Sequence, residues 1–399
     1  MHLNNPKATD CGLRSESVLN ILALNWEDLD NPQAGGAEVH LQEILKRIAS
    51  KGHKVSLLCS GFPGCKPEER IDGIDIVRRG SRFNFNFVAP FALKKLIKSE
   101  NWDIILEDIN KIPFFSPLFH NLPLLVVIPH LFADSVFKEI NFVLELYIYL
   151  SEKPISRVYK GFQFMVISES TKEDLVKRGI PAEDIHVVHC GIDHFLYRTD
   201  PAVSKNPDPT VIYLGRLKKY KSIDHLLIAF AQTLKQIPQA KLVVVGEGDY
   251  RGNLQDLAGE LKIEDRIEFT GFVDQAEKVK RLQGAWAAVC PSLKEGWGLT
   301  NIEANACGTP VLASNVPGLK DSVADGETGV LFRYGDTKEL SDHLVKILSN
   351  ADHREKLAEG GLSWAKKFSW DHAADKTLEL IEQIVTRSKR EAGKAKQRN

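Results

Sequence analysis

The chain has 399 residues, long for one domain and ample for two, with the 43% hydrophobic and 26% charged content of an ordinary globular protein. A formal net charge of −1 removes any global electrostatic case for nucleic-acid binding. The six cysteines (Cys11, Cys59, Cys65, Cys190, Cys290 and Cys307) lack metal-site spacing and read as free thiols in a reducing compartment.

Residues 1–17 are polar, without the apolar core of a signal peptide, and no apolar run approaches the ~20 residues that span a bilayer. A cytoplasmic protein is the expectation. Residues 18–24 form the first strand, apolar on both faces as a buried parallel strand is. Gly35 and Gly36 then open a helix with Leu41, Ile44, Leu45 and Ile48 on one face, and residues 54–58 form the next strand. This βαβ start fits a Rossmann-like half, with the glycine pair either at a phosphate or in a plain tight loop.

From Arg78 to Lys98 basic residues interleave with Phe83, Phe85, Phe87 and Phe91. Such a surface can lie on anionic lipid headgroups, or it can pack its rings inward with solvated charges at the rim. Strands at 102–106 and 124–128 end in polar residues, Glu107, Asp108 and Asn110 after the first and His130 after the second. Open α/β sheets bind ligands beyond those strand ends, although a lone histidine is as readily structural. Residues 136–150 read as a very apolar helix, either of the core or with a face toward lipid or acceptor, too short and too charged for a membrane span.

A strand at 162–168 and a helix started by Ser170 and Thr171 lead to the close of this half at residue 193. Three prolines within 194–209 mark a linker. The strand pattern restarts at 210–214 and runs into Gly215, Arg216 and Lys221, a pair of cations that can neutralise a diphosphate or simply be solvated. Further strands end at Gly246 and at Val273. Gly246-Glu-Gly248 is a poor dinucleotide fingerprint, because the third glycine falls at Gly252, one position late.

Residues 290–318 carry the densest signal: strand, glycine loop (Gly296-Trp297-Gly298), helix from Leu299 and Thr300, then a second strand. A helix start aimed from such a loop suits a diphosphate, and Glu295 and Glu303 flank it as acceptors for sugar hydroxyls. Thr300-x-x-Glu303 is equally a capping box. Helices are expected at 336–349, 352–368 and 373–385, followed by a solvated basic tail from Arg387.

The run Pro291-Ser-x-x-Glu-Gly-Trp-Gly-Leu-x-x-x-Glu-Ala-x-Ala-Cys-Gly-Thr-Pro-Val311 resembles the donor-site signature of retaining glycosyltransferases of family 4. The resemblance implies an α/β GT-B fold. Two Rossmann-like domains with parallel sheets, at 18–193 and 210–369, would face across a cleft, with a helix at 370–386 crossing back to the first domain. It implies that Glu295 holds the transferred sugar, Glu303 the ribose hydroxyls, and the amides near Leu299 and Thr300 the diphosphate.

By the same likeness Gly35 and Gly36 lie beside donor phosphate and acceptor, and His130 contacts the donor sugar near the reaction centre. Arg216 and Lys221, after Gly215, are the phosphate-binding pair; Gly246 approaches the nucleotide by backbone, and Val273 meets the base edge. Ser222 departs from the glycine usual after the lysine, a replacement expected where no positive φ is needed. The implied reaction moves a hexose such as mannose or glucose from a nucleotide diphosphate sugar to a glycan or lipid-linked acceptor hydroxyl, with retention and with no metal or other cofactor. Peripheral contact with the inner face of a membrane fits that role. The alternatives are a phosphorylase or sugar-phosphate synthase on the same fold, or a non-catalytic nucleotide-sugar-binding subunit. Base, sugar, acceptor and oligomeric state carry no readable code.

Overall fold

The computed structural model describes residues 18–131, 147 and 150–398. The expected polar extension at 1–17 lies outside these residues, as does the helix expected at 136–150 apart from Tyr147 and Leu150.

Two sheets form the frame. The first joins β1 (Asn20–Leu24), β2 (Lys54–Gly61), β3 (Glu68–Ile71), β4 (Ile74–Ser81), β5 (Ile104–Asp108), β6 (Leu124–Ile128), β7 (Gln163–Val166) and β8 (Ile185–Val187). Their order is β3-β4-β2-β1-β5-β6-β7-β8, and every pairing is parallel except β3 with β4. The second joins β9 (Thr210–Leu214), β10 (Lys241–Val245), β11 (Ile267–Gly271), β12 (Ala287–Cys290), β13 (Val311–Ser314) and β14 (Gly329–Phe332), all parallel, in the order β11-β10-β9-β12-β13-β14. The central strands are continuous runs of Ile, Leu, Val and Ala because helices cover both faces and leave no solvent side to alternate toward.

Helices α1 (Gly36–Ser50), α2 (Phe85–Ser99) and α3 (Glu169–Lys177) pack on the first sheet. Helices α4 (Ile223–Thr233), α5 (Arg251–Leu261), α6 (Gln275–Gly284), α7 (Leu299–Ala306), α8 (Thr337–Ser349) and α9 (Ala351–Ala365) belong to the second. The β3–β4 hairpin is absent from the sequence reading. It turns on Asp72 and Gly73, both at positive φ (50° and 82°), the backbone a two-residue hairpin loop requires.

The last helix, α10 (Trp370–Arg398), leaves the second domain beside Gly191 and Ile192 and lies along α1. Arg47 pairs with Asp371 at 2.6 Å, and Lys51 pairs with Asp375. Residues 387–398, expected as a frayed tail, continue this helix, and Lys389 reaches Asp103 of the first domain at 3.0 Å. Helix-forming residues run unbroken to the end apart from Gly393, so propensity and these pairs extend the helix.

Candidate active site between the two sheets

The strand ends of the second sheet build one wall. After β12 the chain turns at Ser292, whose hydroxyl donates to Glu295 Oε1 at 2.7 Å. The same oxygen accepts from Lys221 Nζ at 2.5 Å, so the loop after β9 and the loop after β12 close on each other. A backbone bond from Leu293 N to Tyr220 O at 2.9 Å fastens them further. Gly318 underlies the Glu295 turn: its φ is 83°, and a Cβ there would lie 2.1 Å from the Glu295 carbonyl oxygen. Only glycine fits.

Burial pulls the Lys221 ammonium down, but Glu295 and then Tyr220 more than offset it, leaving it above its ordinary value and charged. Its Nζ stands 5.0 Å from the Tyr220 ring centroid. Ser222, in the next position, has φ 52° and ψ 40°. The expectation that this position needs no positive φ is therefore corrected: the left-handed conformation that glycine would supply is required, and serine adopts it with its hydroxyl near Tyr334 OH at 3.1 Å.

Helix α7 starts at Gly298, which has φ 80° and no side chain to cap the helix, and its first turn carries no acidic residue. Thr300 and Glu303 are therefore the second and fifth helical residues, which rules out the capping box. Glu303 instead meets Lys278 of α6 at 2.8 Å, and Lys278 also donates to Tyr197 OH at 2.7 Å. The buried indole of Trp297 stacks on His189 at 4.4 Å and meets Phe368 edge-on at 5.2 Å. Its backbone stays in the glycine loop while its side chain packs the two domains together. Gly215 and Gly246 touch where β9 and β10 end, and Val273 is half-buried beside the exposed Phe272 after β11.

The first domain supplies the facing wall. A Cβ on Gly35 would stand 3.6 Å from Arg216 Nη2, and one on Gly36 would stand 3.8 Å from Leu299 Cδ1. A Cβ on Gly296 would lie 3.4 Å from His130 Nδ1. Lys294 Nζ donates to Leu131 O at 2.5 Å. The structure thus brings Gly35, Gly36, His130, Arg216, Lys221, Glu295, Gly296 and Leu299 to one cleft. His130 is pushed down to about 4 by burial first, then by Lys294, with Glu295 opposing, so its imidazole is neutral at pH 7.

Of the three polar residues expected beyond this strand, Glu107 and Asp108 are the last two of β5 itself, and only Asn110 follows it. Glu107 accepts from Phe114 N at 2.9 Å and Tyr159 OH at 2.5 Å, which holds the following loop. Asp108 is fully buried and raised well above the carboxylate range, by burial and then by Glu38. Asn110, also buried, donates to Glu38 Oε1 at 2.8 Å. Glu38 Oε2 in turn accepts from Gly35 N at 2.7 Å. Beyond it Lys111 pairs with Glu27 at 2.5 Å, and Arg82 Nε lies 3.6 Å from Glu27. Glu27, Lys111, Lys278 and Lys294 escaped the sequence reading. Lys294 is adjacent to Glu295, a signal that was available; the others come together only in the fold.

Two family descriptions match successive parts of the chain: Glycosyltransferase Family 4 over residues 34–194 and Glycosyl transferases group 1 over residues 199–364. The chain is a glycosyltransferase of the family 4 type. It is 24% identical to an uncharacterized glycosyltransferase of Methanocaldococcus jannaschii, over 91% of this chain and 97% of that one. It is 33% identical to a D-inositol 3-phosphate glycosyltransferase of a Nocardioides species, over 49% of this chain and only 48% of that relative. Among solved structures it is similar to a sucrose-phosphate synthase from Thermosynechococcus elongatus (TM-score 0.77, 23% identity, 92% of this chain and 100% of that one). HepE of Anabaena, solved with UDP-glucose, follows at TM-score 0.74 and 19% identity, over 92% of this chain and 100% of that one. These likenesses give this glycosyltransferase the GT-B fold, with the cleft between its two sheets. No helix among its described residues is long and apolar enough to cross a membrane.

Proposed function

We propose that the protein is a retaining hexosyltransferase that takes its sugar from UDP and passes it to a hydroxyl of a glycan or lipid-linked acceptor. The observation that carries this reading is the uncapped start of α7 beside the Lys221–Glu295 pair, with Arg216 reaching across to Gly35. Helix amides, a guanidinium and an ammonium converge there on a space suited to a diphosphate. HepE, solved with UDP-glucose, supports uridine as the base.

In the reaction the bond from the anomeric carbon to the diphosphate oxygen breaks while the acceptor oxygen bonds the same face of that carbon. The acceptor proton leaves with the departing phosphate. Arg216 and Lys221 stabilise the charge that develops on that phosphate, as a divalent ion does elsewhere, so no metal is needed. Glu295 accepts from hydroxyls of the transferred sugar, and neutral His130 hydrogen-bonds the sugar without adding charge. Glu303 takes the ribose hydroxyls, sharing its carboxylate with Lys278. A phosphorylated acceptor, as the sucrose-phosphate synthase likeness suggests, is the weaker reading, because Lys111 and Arg82 on the acceptor side already face Glu27.

The test is thermal stability of the protein with UDP, GDP, ADP and their sugar conjugates in the presence of a chelator. Ligand at ~100 times its dissociation constant stabilises by about 2.7 kcal/mol, a readable shift in melting temperature. A shift with uridine ligands alone, lost in Arg216→Ala, supports the reading. No shift with any nucleotide sinks it.

A further inference from the structure

Helix α2 buries Phe85, Ala89 and Leu93 against the first sheet, where Phe85 meets Phe114 at 5.3 Å and Trp26 at 5.9 Å. That face is an ordinary core face. The opposite face is not. Phe87 and Phe91 are 69% and 77% exposed, and Phe83, just before the helix, is 92% exposed. At 3.6 residues per turn, Phe87, Phe91, Lys94, Lys95 and Lys98 fall within one ~100° arc. Among the described residues none of these lysines pairs with a carboxylate, and Lys94 rests only over the Phe119 ring at 5.3 Å. Beside the arc, Tyr147 accepts from Asn86 at 2.8 Å, and Leu150 is exposed.

We infer that this face of α2 is a membrane-docking surface for anionic lipid. Three aromatic rings left in water are a standing cost unless something covers them. The lysines on the same arc, unpaired with carboxylates among the described residues, match a negatively charged, laterally extended surface, and long lysine stems let the charges reach headgroups while the rings enter the acyl boundary.

The same helix start touches the cleft. Arg82 donates to Gln33 at 2.7 Å and faces Glu27, which holds Lys111 next to Glu38 and the Gly35–Arg216 contact. A bilayer against α2 therefore lies at the acceptor side of the cleft. In the setting of the proposed transferase reaction, this assigns the acceptor to the lipid-linked class.

The experiment is co-sedimentation of the full chain with phosphatidylcholine vesicles, with and without phosphatidylglycerol, at low and high salt. The wild-type protein is expected to sediment with the anionic vesicles and to be released by salt. Phe87→Glu with Phe91→Glu is expected to weaken partitioning by about tenfold or more, since binding scales with inserted apolar area. Lys95→Glu with Lys98→Glu is expected to remove the preference for anionic vesicles. In both variants the nucleotide-induced thermal shift of wild type should persist, which certifies the fold and the donor site.

Failure of the wild type to sediment, or undiminished binding by the phenylalanine variant, overturns the inference. So does light scattering that shows the phenylalanine pair holding two copies of the chain together while vesicles are ignored. Absence of a nucleotide shift in wild type would count against the transferase reading and leave the lipid result standing.

Discussion

Two helix starts face the cleft, α1 from the first domain and α7 from the second, and they differ in what fills them. Both follow a glycine loop at the end of a parallel strand, and both begin beside an N-cap glycine. At α1 the third helical residue is Glu38, whose carboxylate takes the Gly35 amide at 2.7 Å. At α7 the third residue is Asn301, whose amide turns away to Ser322 Oγ at 2.9 Å, leaving no carboxylate in the first turn. One positive helix end is neutralised by a carboxylate of its own first turn and the other is not. On the proposed function the near-symmetric frame divides its labour: the diphosphate would sit at α7, and the α1 side would be left to an acceptor.

The largest expected effect tests the α7 side. Lys221→Ala should lower kcat by about 100- to 1000-fold, the usual cost of deleting one donor that stabilises developing charge. It should leave detectable nucleotide binding by calorimetry, since Arg216 and the helix start remain. Equal loss of binding and turnover would mean that Lys221 holds the ground state, not the departing charge.

The α1 side should contribute to acid sensitivity. His40, on α1, is fully buried, and burial lowers it from 6.5 to about 4. Between those values the unfolded chain carries a proton that the folded chain refuses, so stability falls as pH drops through that window. The contribution is about 3 kcal/mol. His130 and His120 act in the same direction, also at about 4, so the clean measurement is a difference. Urea melts of wild type and His40→Leu at pH 7 and pH 4.5 should show a shallower pH dependence in the variant. Parallel curves would remove His40 from the account.

Much of this frame was legible from pattern. Buried parallel strands announce themselves as apolar runs, and the glycines at 35–36 and 296–298 mark where the backbone turns into the loops that line the cleft. The likeness carried by residues 291–311 located Glu295, and the fold brings Lys221 to it at 2.5 Å across 74 residues of sequence. What escaped were partners chosen by the fold alone. Nothing in local sequence ties Glu303 to Lys278, or the linker residue Tyr197 to that pair. Trp297 looked like part of a donor loop, yet its apolar surface was better satisfied against His189 and Phe368 from other elements. The Asp72-Gly73 hairpin was readable and went unread.

A smaller perturbation makes the two helix starts alike. Asn301→Asp would place on α7 the carboxylate that Glu38 places on α1. Nucleotide diphosphate affinity should fall by about tenfold, through repulsion at close range and a neutralised helix end. Glu38→Gln, the reciprocal change, should leave that affinity no weaker. If calorimetry finds Asn301→Asp binding as tightly as wild type, the diphosphate does not sit on α7.

The smallest effect concerns Ser222, beside Lys221. A left-handed backbone costs a non-glycine residue about 1–2 kcal/mol. Ser222→Gly removes that cost, but glycine loses about 0.5–1 kcal/mol more entropy on folding, and the bond between Ser222 Oγ and Tyr334 OH goes too. The terms nearly cancel, so Ser222→Gly should change stability by less than about 0.5 kcal/mol in urea melts. Ser222→Ala keeps the strain and loses the hydroxyl, and should cost about 1 kcal/mol. Ser222→Val adds a branched Cβ to the same backbone and should cost still more. That ranking, glycine then alanine then valine, is what backbone conformation dictates. If alanine equals glycine, the φ of 52° is not what the position selects, and Lys221 is aimed at Glu295 by its own ion pair, not by the turn that follows it.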